Sequence, residues 1–277
     1  MLLIIYFFDL VNKLSHGSSL EANIALVCNN ARVGAQIAAA YASLTKKHFY
    51  LPNIQIKNSS SNCTIEGHDV IVVGGLVVDH VVSPAQASGL PTVPLIMKTS
   101  NPGTASQTYG GVGRNVAESI VKNDVATKGT AASVLMVSAV GNDAYGDSLI
   151  RHIEQLGICS TGIVRVAESN TRTATYTAVH DHTGDLLVAV SDMDVFKHIS
   201  PAVLSTHVEP VLSKSRSGKA CKMVFADGNI STDAFSTLAK FCNEQNIPLF
   251  FEPTSVHKCT VPVKAKSLNK VTVSILR

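Results

Sequence analysis

Residues 69–75 read Asp-Val-Ile-Val-Val-Gly-Gly, a continuous apolar run that stops on glycine. A strand with one face in water alternates polar and apolar side chains. An unbroken run of β-branched residues belongs instead to a strand covered on both faces. Runs of the same character recur at 134–139, 223–226 and 247–251, and helix-period patterns lie between them at 112–123, 143–156 and 231–245. Strands that alternate with helices need crossover connections, so the pattern predicts an α/β fold: a mainly parallel sheet with helices on both faces. Two segments break the alternation. Residues 79–108 form a long excursion, and 172–190 read as a hairpin around H-D-H-T-G-D. Both are predicted to form a small β lid over a site.

The first 67 residues follow other rules. Residues 1–15 suit a helix closed at Gly17, and Ser18 with Glu21 has capping-box spacing for a second helix over about 20–47. Residues 48–67 lose all periodicity and contain N-S-S-S-N, which reads as a linker. The apolar start M-L-L-I-I-Y-F-F ends at Asp9, too short to span a bilayer and without a basic flank or cleavage site. No membrane segment is expected.

Composition narrows the function. Hydrophobic residues make up 45% of the 277 and charged residues 16%, enough apolar material for a sizeable core. The net charge of +3 is spread without a basic block, which argues against nucleic acid as a partner. The six cysteines, at 28, 63, 159, 221, 242 and 259, form no Cys-x-x-Cys clip. They read as free, mostly buried thiols in a reducing compartment, which assigns the chain to the cytoplasm with an organelle matrix left open.

The chemistry-bearing stretch is 99–115, T-S-N-P-G-T-A-S-Q-T-Y-G-G-V-G-R-N. Three glycines in four positions require a close backbone approach or positive φ, and a polar residue beside them suits a hydroxyl-rich ligand. The segment is not a dinucleotide fingerprint, because no apolar strand precedes it and Val116 stands in the place of the third glycine. Gly74-Gly75 followed by Asp79 puts a carboxylate just past the first strand. There it suits a vicinal diol as well as plain solvation. In G-N-D-A-Y-G, 141–146, Asp143 suits a helix N-cap. His180 and His182 around Asp181 read as a polar turn ahead of a metal pair, and Asp192 with Asp194 as a solvated face. Glu252, in E-P-T-S after a buried strand, stands at the carboxyl end of the sheet, where a magnesium or phosphate partner or a structural role fits equally.

Taken together, I-V-V-G-G with Asp79, G-G-V-G-R-N, V-S-A-V-G-N-D-A-Y-G-D and F-F-E-P-T-S resemble a PfkB-type (ribokinase-like) carbohydrate kinase over 68–277. T-S-N-P-G before G-G-V-G-R-N points to the pseudouridine kinase branch. Residues 8–44, F-D-L-V-N-K-L and then S-L-E-A-N-I-A-L-V-C-N-N-A-R-V-G-A-Q-I-A, are similar to the C-terminal helices of pseudouridine-5′-phosphate glycosidase. The domain reading is therefore 1–47 glycosidase helices, 48–67 linker and 68–277 kinase. The resemblance implies that Asp79, Gly110, Gly111 and Asn115 bind the substrate pseudouridine through its ribose, and that Glu252 lies near metal and phosphates. It further implies ATP and Mg²⁺ for the kinase, a divalent metal for a full-length glycosidase, and a homodimer through the lid.

The family's D-T-x-G-A-G-D signature does not occur in the 277 residues, nor does the N-x-x-E segment expected just after the last strand, and much of the adenine pocket belongs with them. No catalytic residue is assigned for this reason. A missing general base costs roughly 10²–10⁴ in rate, so no useful turnover is expected from these residues alone. The alternative expectation is a non-catalytic nucleoside-binding fragment. On the glycosidase side the catalytic lysine, acid and metal ligands would lie upstream. Asn29 and Asn30 border that site by analogy, with Cys28 where a lysine is expected.

Overall fold

The computed structural model describes residues 67–84, 96–128, 132–213 and 221–274, together with Asn29, Arg32 and Gln36. The chain divides into two units, Met1–Asn53 and Ile54–Arg277. In the first, the three described residues are helical and exposed. Arg32 donates to Asn29 Oδ1 at 2.8 Å and to Gln36 Oε1 at 3.4 Å, one helical turn either way. The rest of the two expected helices, and nearly all of the linker, lie outside the described residues.

In the second unit, β1 (Val70–Val73) lies in the interior of a six-stranded sheet. It pairs in parallel with β4 (Val134–Gly141) on one side and β8 (Met223–Asp227) on the other. β5 (Cys159–Val166) completes one edge, and β9 (Leu249–Glu252) with β10 (Val273–Ser274) the other, giving the order β10-β9-β8-β1-β4-β5. Every recorded pairing in this sheet is parallel.

The β1 run is apolar throughout because its two faces enter two cores. Ile71 and Val73 join one, with Leu204, Phe235 and Leu238. Val70 and Val72 join the other, with Ala117, Val121, Leu149 and Ile153. Helices α1 (Val112–Lys128) and α2 (Ala144–Gln155) therefore cover one face. α3 (Pro201–His207), α4 (Glu209–Leu212) and α5 (Thr232–Glu244) cover the other. This is the expected α/β architecture.

A second, four-stranded sheet has the order β3-β2-β6-β7. β2 (Val77–Pro84) and β3 (Gly103–Gly110) pair antiparallel from Val77↔Gly110 to Pro84↔Gly103, so the 79–108 excursion is itself a hairpin. β6 (Thr175–His180) and β7 (Leu186–Asp192) form the expected second hairpin, and β6 runs parallel to β2. The side chains of β3 and β7 are mostly exposed, as in a lid.

The periodicity misses β5, in which only Cys159, Gly162 and Val166 are buried and the other positions mix polarity. It also misses the 194–212 helical segments, the longest of which has seven residues, too few to develop a period. The turn after β6 is polar, as read: Asp181 Oδ1 accepts from the backbone N–H of Thr183 and of Asp185. Asp194 is exposed, and Asp192 pairs with Arg172 at 3.1 Å.

The thiol reading needs a correction. Cys221 and Cys242 are buried free thiols whose pKa burial pushes up to about 12. Cys159 is disulfide-bonded, a pairing in space that sequence spacing does not reveal.

Candidate active site

The glycine-rich segment sits where β3 ends and α1 begins, directly over the end of β1. Gly111 has φ +101°, and a Cβ there would strike the carbonyl oxygen of Gly75. That carbonyl accepts the Arg114 N–H at 3.2 Å, which ties the first turn of α1 to the end of β1. At Gly110 the neighbour is the Asp79 carboxylate, which occupies the space a Cβ would need. The glycines thus have an internal reason: strand end, helix start and carboxylate pack too closely for any side chain.

Asp79 stands opposite Thr108 in β3 and beside Tyr176 in β6, on the inner strand β2 of the lid sheet. Partial burial raises its carboxyl pKa, and the positive charge of Arg114 together with His80 offsets part of the rise. Asn115, in the first turn of α1, is exposed, and its Oδ1 accepts from Arg114 Nη1 at 2.9 Å. Asp79, Gly110, Gly111 and Asn115 are therefore gathered at one junction between the lid and the main sheet.

An open cleft of about 560 Å³ runs along α1. Its lining includes Asn115, Ser119 and Asn123 from the helix, with Phe225 and Glu252 from the main sheet. It brings Asn115 and Glu252 together, whereas Asp79 is not part of its wall. Glu252 is 8% exposed, and its Oε2 accepts the Thr254 N–H at 2.9 Å. The Asp143 N-cap is present. Its carboxylate accepts from Gly146 N and Thr173 N at 2.8 Å each and from Thr173 Oγ1 at 2.7 Å. Burial works to raise the Asp143 pKa, but these hydrogen bonds outweigh it and hold the carboxyl low.

Sequence reasoning missed Asp227. At the end of β8 and 2% exposed, it accepts Gly75 N and Gly113 N on Oδ2 and Asn229 N on Oδ1, each at 2.8 Å. Burial pushes its carboxyl pKa up despite these donors. The available signal was an aspartate ending a buried strand just before Gly-Asn. Asp227 is also the register partner of Glu252, so two carboxylates stand side by side at the carboxyl ends of β8 and β9. That end is where open α/β sheets bind ligands.

Residues 70–274 match the family model for pfkB family carbohydrate kinases. The chain belongs to the PfkB carbohydrate kinase family. This PfkB chain is 33% identical to the pseudouridine kinase of Escherichia coli over 190 residues, 69% of the chain and 53% of that protein. It is 28% identical to the pseudouridine-metabolizing bifunctional protein of Schizosaccharomyces pombe over 284 residues, 93% of the chain and 34% of that protein. A 36-residue stretch, 13% of the chain, is 61% identical to a pseudouridine-5′-phosphate glycosidase of Rhizobium johnstonii, over 12% of that protein. Among solved structures, a carbohydrate kinase from Agrobacterium tumefaciens superposes with a TM-score of 0.57 at 22% identity. The match covers 74% of the chain and 59% of that structure, and it shows the ribokinase-like fold. The chain thus spans about half the length of the E. coli relative and a third of the S. pombe one.

Proposed function

We propose that this PfkB chain carries the nucleoside-binding part of a pseudouridine kinase, with Asp79, Gly110, Gly111 and Asn115 as the ribose-facing wall. The observation that carries this reading is the Asp79 carboxylate held against Gly110 at the lid–sheet junction, with the start of α1 directly following. A half-buried carboxylate with raised proton affinity is a strong acceptor for sugar hydroxyls. The relatives named pseudouridine kinases support phosphoryl transfer to pseudouridine, which in this reading passes from ATP to the 5′-hydroxyl. The bifunctional relative and the glycosidase match support residues 1–47 as glycosidase helices, 48–67 as a linker and 68–277 as the kinase portion.

Phosphoryl transfer of this kind needs Mg²⁺ to neutralise the phosphate charge. Among the described residues no three His, Cys, Asp or Glu side chains come together as a metal site. Mg²⁺ commonly arrives largely on the phosphates, and Glu252, with Asp227 beside it at the carboxyl ends of β9 and β8, is the carboxylate that lines the cleft. A lid-mediated homodimer and a cytoplasmic location belong to the same proposal. Among the described residues no helix is long and apolar enough to cross a membrane.

The test is calorimetric titration of the 277-residue chain with pseudouridine, ribose and adenosine, alongside phosphate transfer from ATP. Pseudouridine is expected to bind most tightly, and Asp79→Ala to abolish that binding. A cooperatively folded chain that binds no pseudouridine overturns the reading. Turnover distinguishes a working kinase from the non-catalytic nucleoside-binding fragment.

A further inference from the structure

Arg114 lies inside the glycine-rich motif, yet it faces away from solvent, with a side chain only 11% exposed. Its Nη1 donates to Asn115 Oδ1 at 2.9 Å, and its Nη2 meets Glu118 Oε2 at 2.7 Å and His152 Nε2 at 2.8 Å. A guanidinium has five donors and no acceptor. The Asn115 atom it touches must then be the carbonyl oxygen, which leaves the Nδ2 amide hydrogens for the cleft. His152 Nε2 is likewise an acceptor, so the ring is neutral with its proton on Nδ1.

The guanidinium is braced from several elements. Glu118 comes from the next turn of α1 and also pairs with Lys122 at 2.7 Å. His152 comes from α2 and stacks on Tyr109 of β3 with ring centroids 4.4 Å apart. The Tyr109 hydroxyl in turn hydrogen-bonds Ser148 of α2. Burial, then the Arg114 charge, hold the His152 pKa below its ordinary value, which keeps the acceptor available near neutrality.

We infer that Arg114 is a positioning residue: by occupying the carbonyl of Asn115 it locks that side chain as a hydrogen-bond donor toward the ligand. The inference rests on the reading of this junction as a nucleoside site. It makes Asn115 select a ligand atom with a free lone pair, such as a sugar hydroxyl. The hydrogen-bonding contribution of Arg114 to affinity then runs through Asn115.

The experiment is a double-mutant cycle with pseudouridine as the probe, using Arg114→Gln, Asn115→Ala and the pair together. Each single change is expected to weaken binding about tenfold, the worth of one hydrogen bond, and the pair no more than Asn115→Ala alone. Asn115→Asp still accepts from Arg114 but has no amide to donate. It is expected to lose affinity like the alanine variant, an outcome that a purely structural role for the pair would not produce. Multiplying losses, an unaffected Arg114→Gln, or full affinity in Asn115→Asp each overturns the inference. If Arg114→Gln fails to melt cooperatively, Arg114→Lys replaces it, since the lysine keeps the charge beside Glu118 but lacks the fork. A folded wild-type chain that ignores pseudouridine is a different result: it removes the nucleoside-site reading and this inference with it.

Discussion

The Asp227 carboxylate accepts the backbone N–H of Gly113 at 2.8 Å, across 114 positions of chain. The same oxygen takes the N–H of Gly75. One buried side chain at the end of β8 therefore fastens the end of β1 to the start of α1. These are the segments whose glycines leave no room for side chains of their own.

Replacing that clamp removes the acceptor for several buried N–H groups at once. Asp227→Ala is expected to destabilise the fold by about 2–4 kcal/mol, and Asp227→Asn by about 1–2 kcal/mol, because the remaining carbonyl oxygen can still accept from Gly75 and Gly113 while the amide nitrogen cannot accept from the Asn229 N–H. Urea denaturation followed by far-UV circular dichroism measures both.

Gly111→Ala meets two penalties, the positive φ and the collision with the Gly75 carbonyl. A loss of roughly 2 kcal/mol or more is expected, together with weakened pseudouridine binding as the start of α1 shifts. Gly184, with φ +90° but nothing near its Cβ position, provides the contrast. Gly184→Ala is expected to cost only the backbone strain of about 1 kcal/mol and to leave binding unchanged. Melting curves and titrations of the two variants, side by side, check this.

Asp143 caps α2 and also holds Thr173, which leads into β6 of the lid sheet. Asp143→Ala is expected to lower stability by about 2–3 kcal/mol, from a lost cap plus a lost cross-segment tie. Amide hydrogen exchange is expected to accelerate over 172–192 more than over β1 or β4.

His152 and His207 both have pKa values held below the ordinary 6.5, by burial first in each case and by the Arg114 charge in addition at His152. The unfolded chain therefore takes up protons more readily than the folded one in the range just below 6.5. Stability is expected to be full above pH 6.5 and to decline as the pH falls from there toward the folded-state values. Urea midpoints between pH 7.5 and 5.5 measure the slope, and His152→Gln is expected to reduce it.

Much of this was legible in the chain. The unbroken V-I-V-V run has the mark of a strand covered on both faces, and its relatives at 134, 223 and 247 implied a parallel sheet. The 79–108 excursion and the 172–190 hairpin stood out by breaking the alternation, and both pair within the second sheet. β5 and the short helices at 194–212 stayed hidden, because mixed burial and short length erase periodicity. The candidate site was half legible. Motif spacing singled out Asp79, the glycines, Asn115 and Glu252, since glycine density and a polar residue at a strand end or helix start are local features.

The partners of those residues were not local. Nothing along the chain says that Asp227 reaches Gly75 and Gly113, that Arg114 is braced by His152 from another helix, or that Asp79 fills the space over Gly110. Local sequence by itself determined which segments become strands and helices, because backbone periodicity and burial act over a few residues. Which carboxylate meets which N–H was decided only by the tertiary structure. Hydrogen bonds of about 2.8 Å between segments more than a hundred positions apart exist only once the parallel sheet has brought the strand ends together.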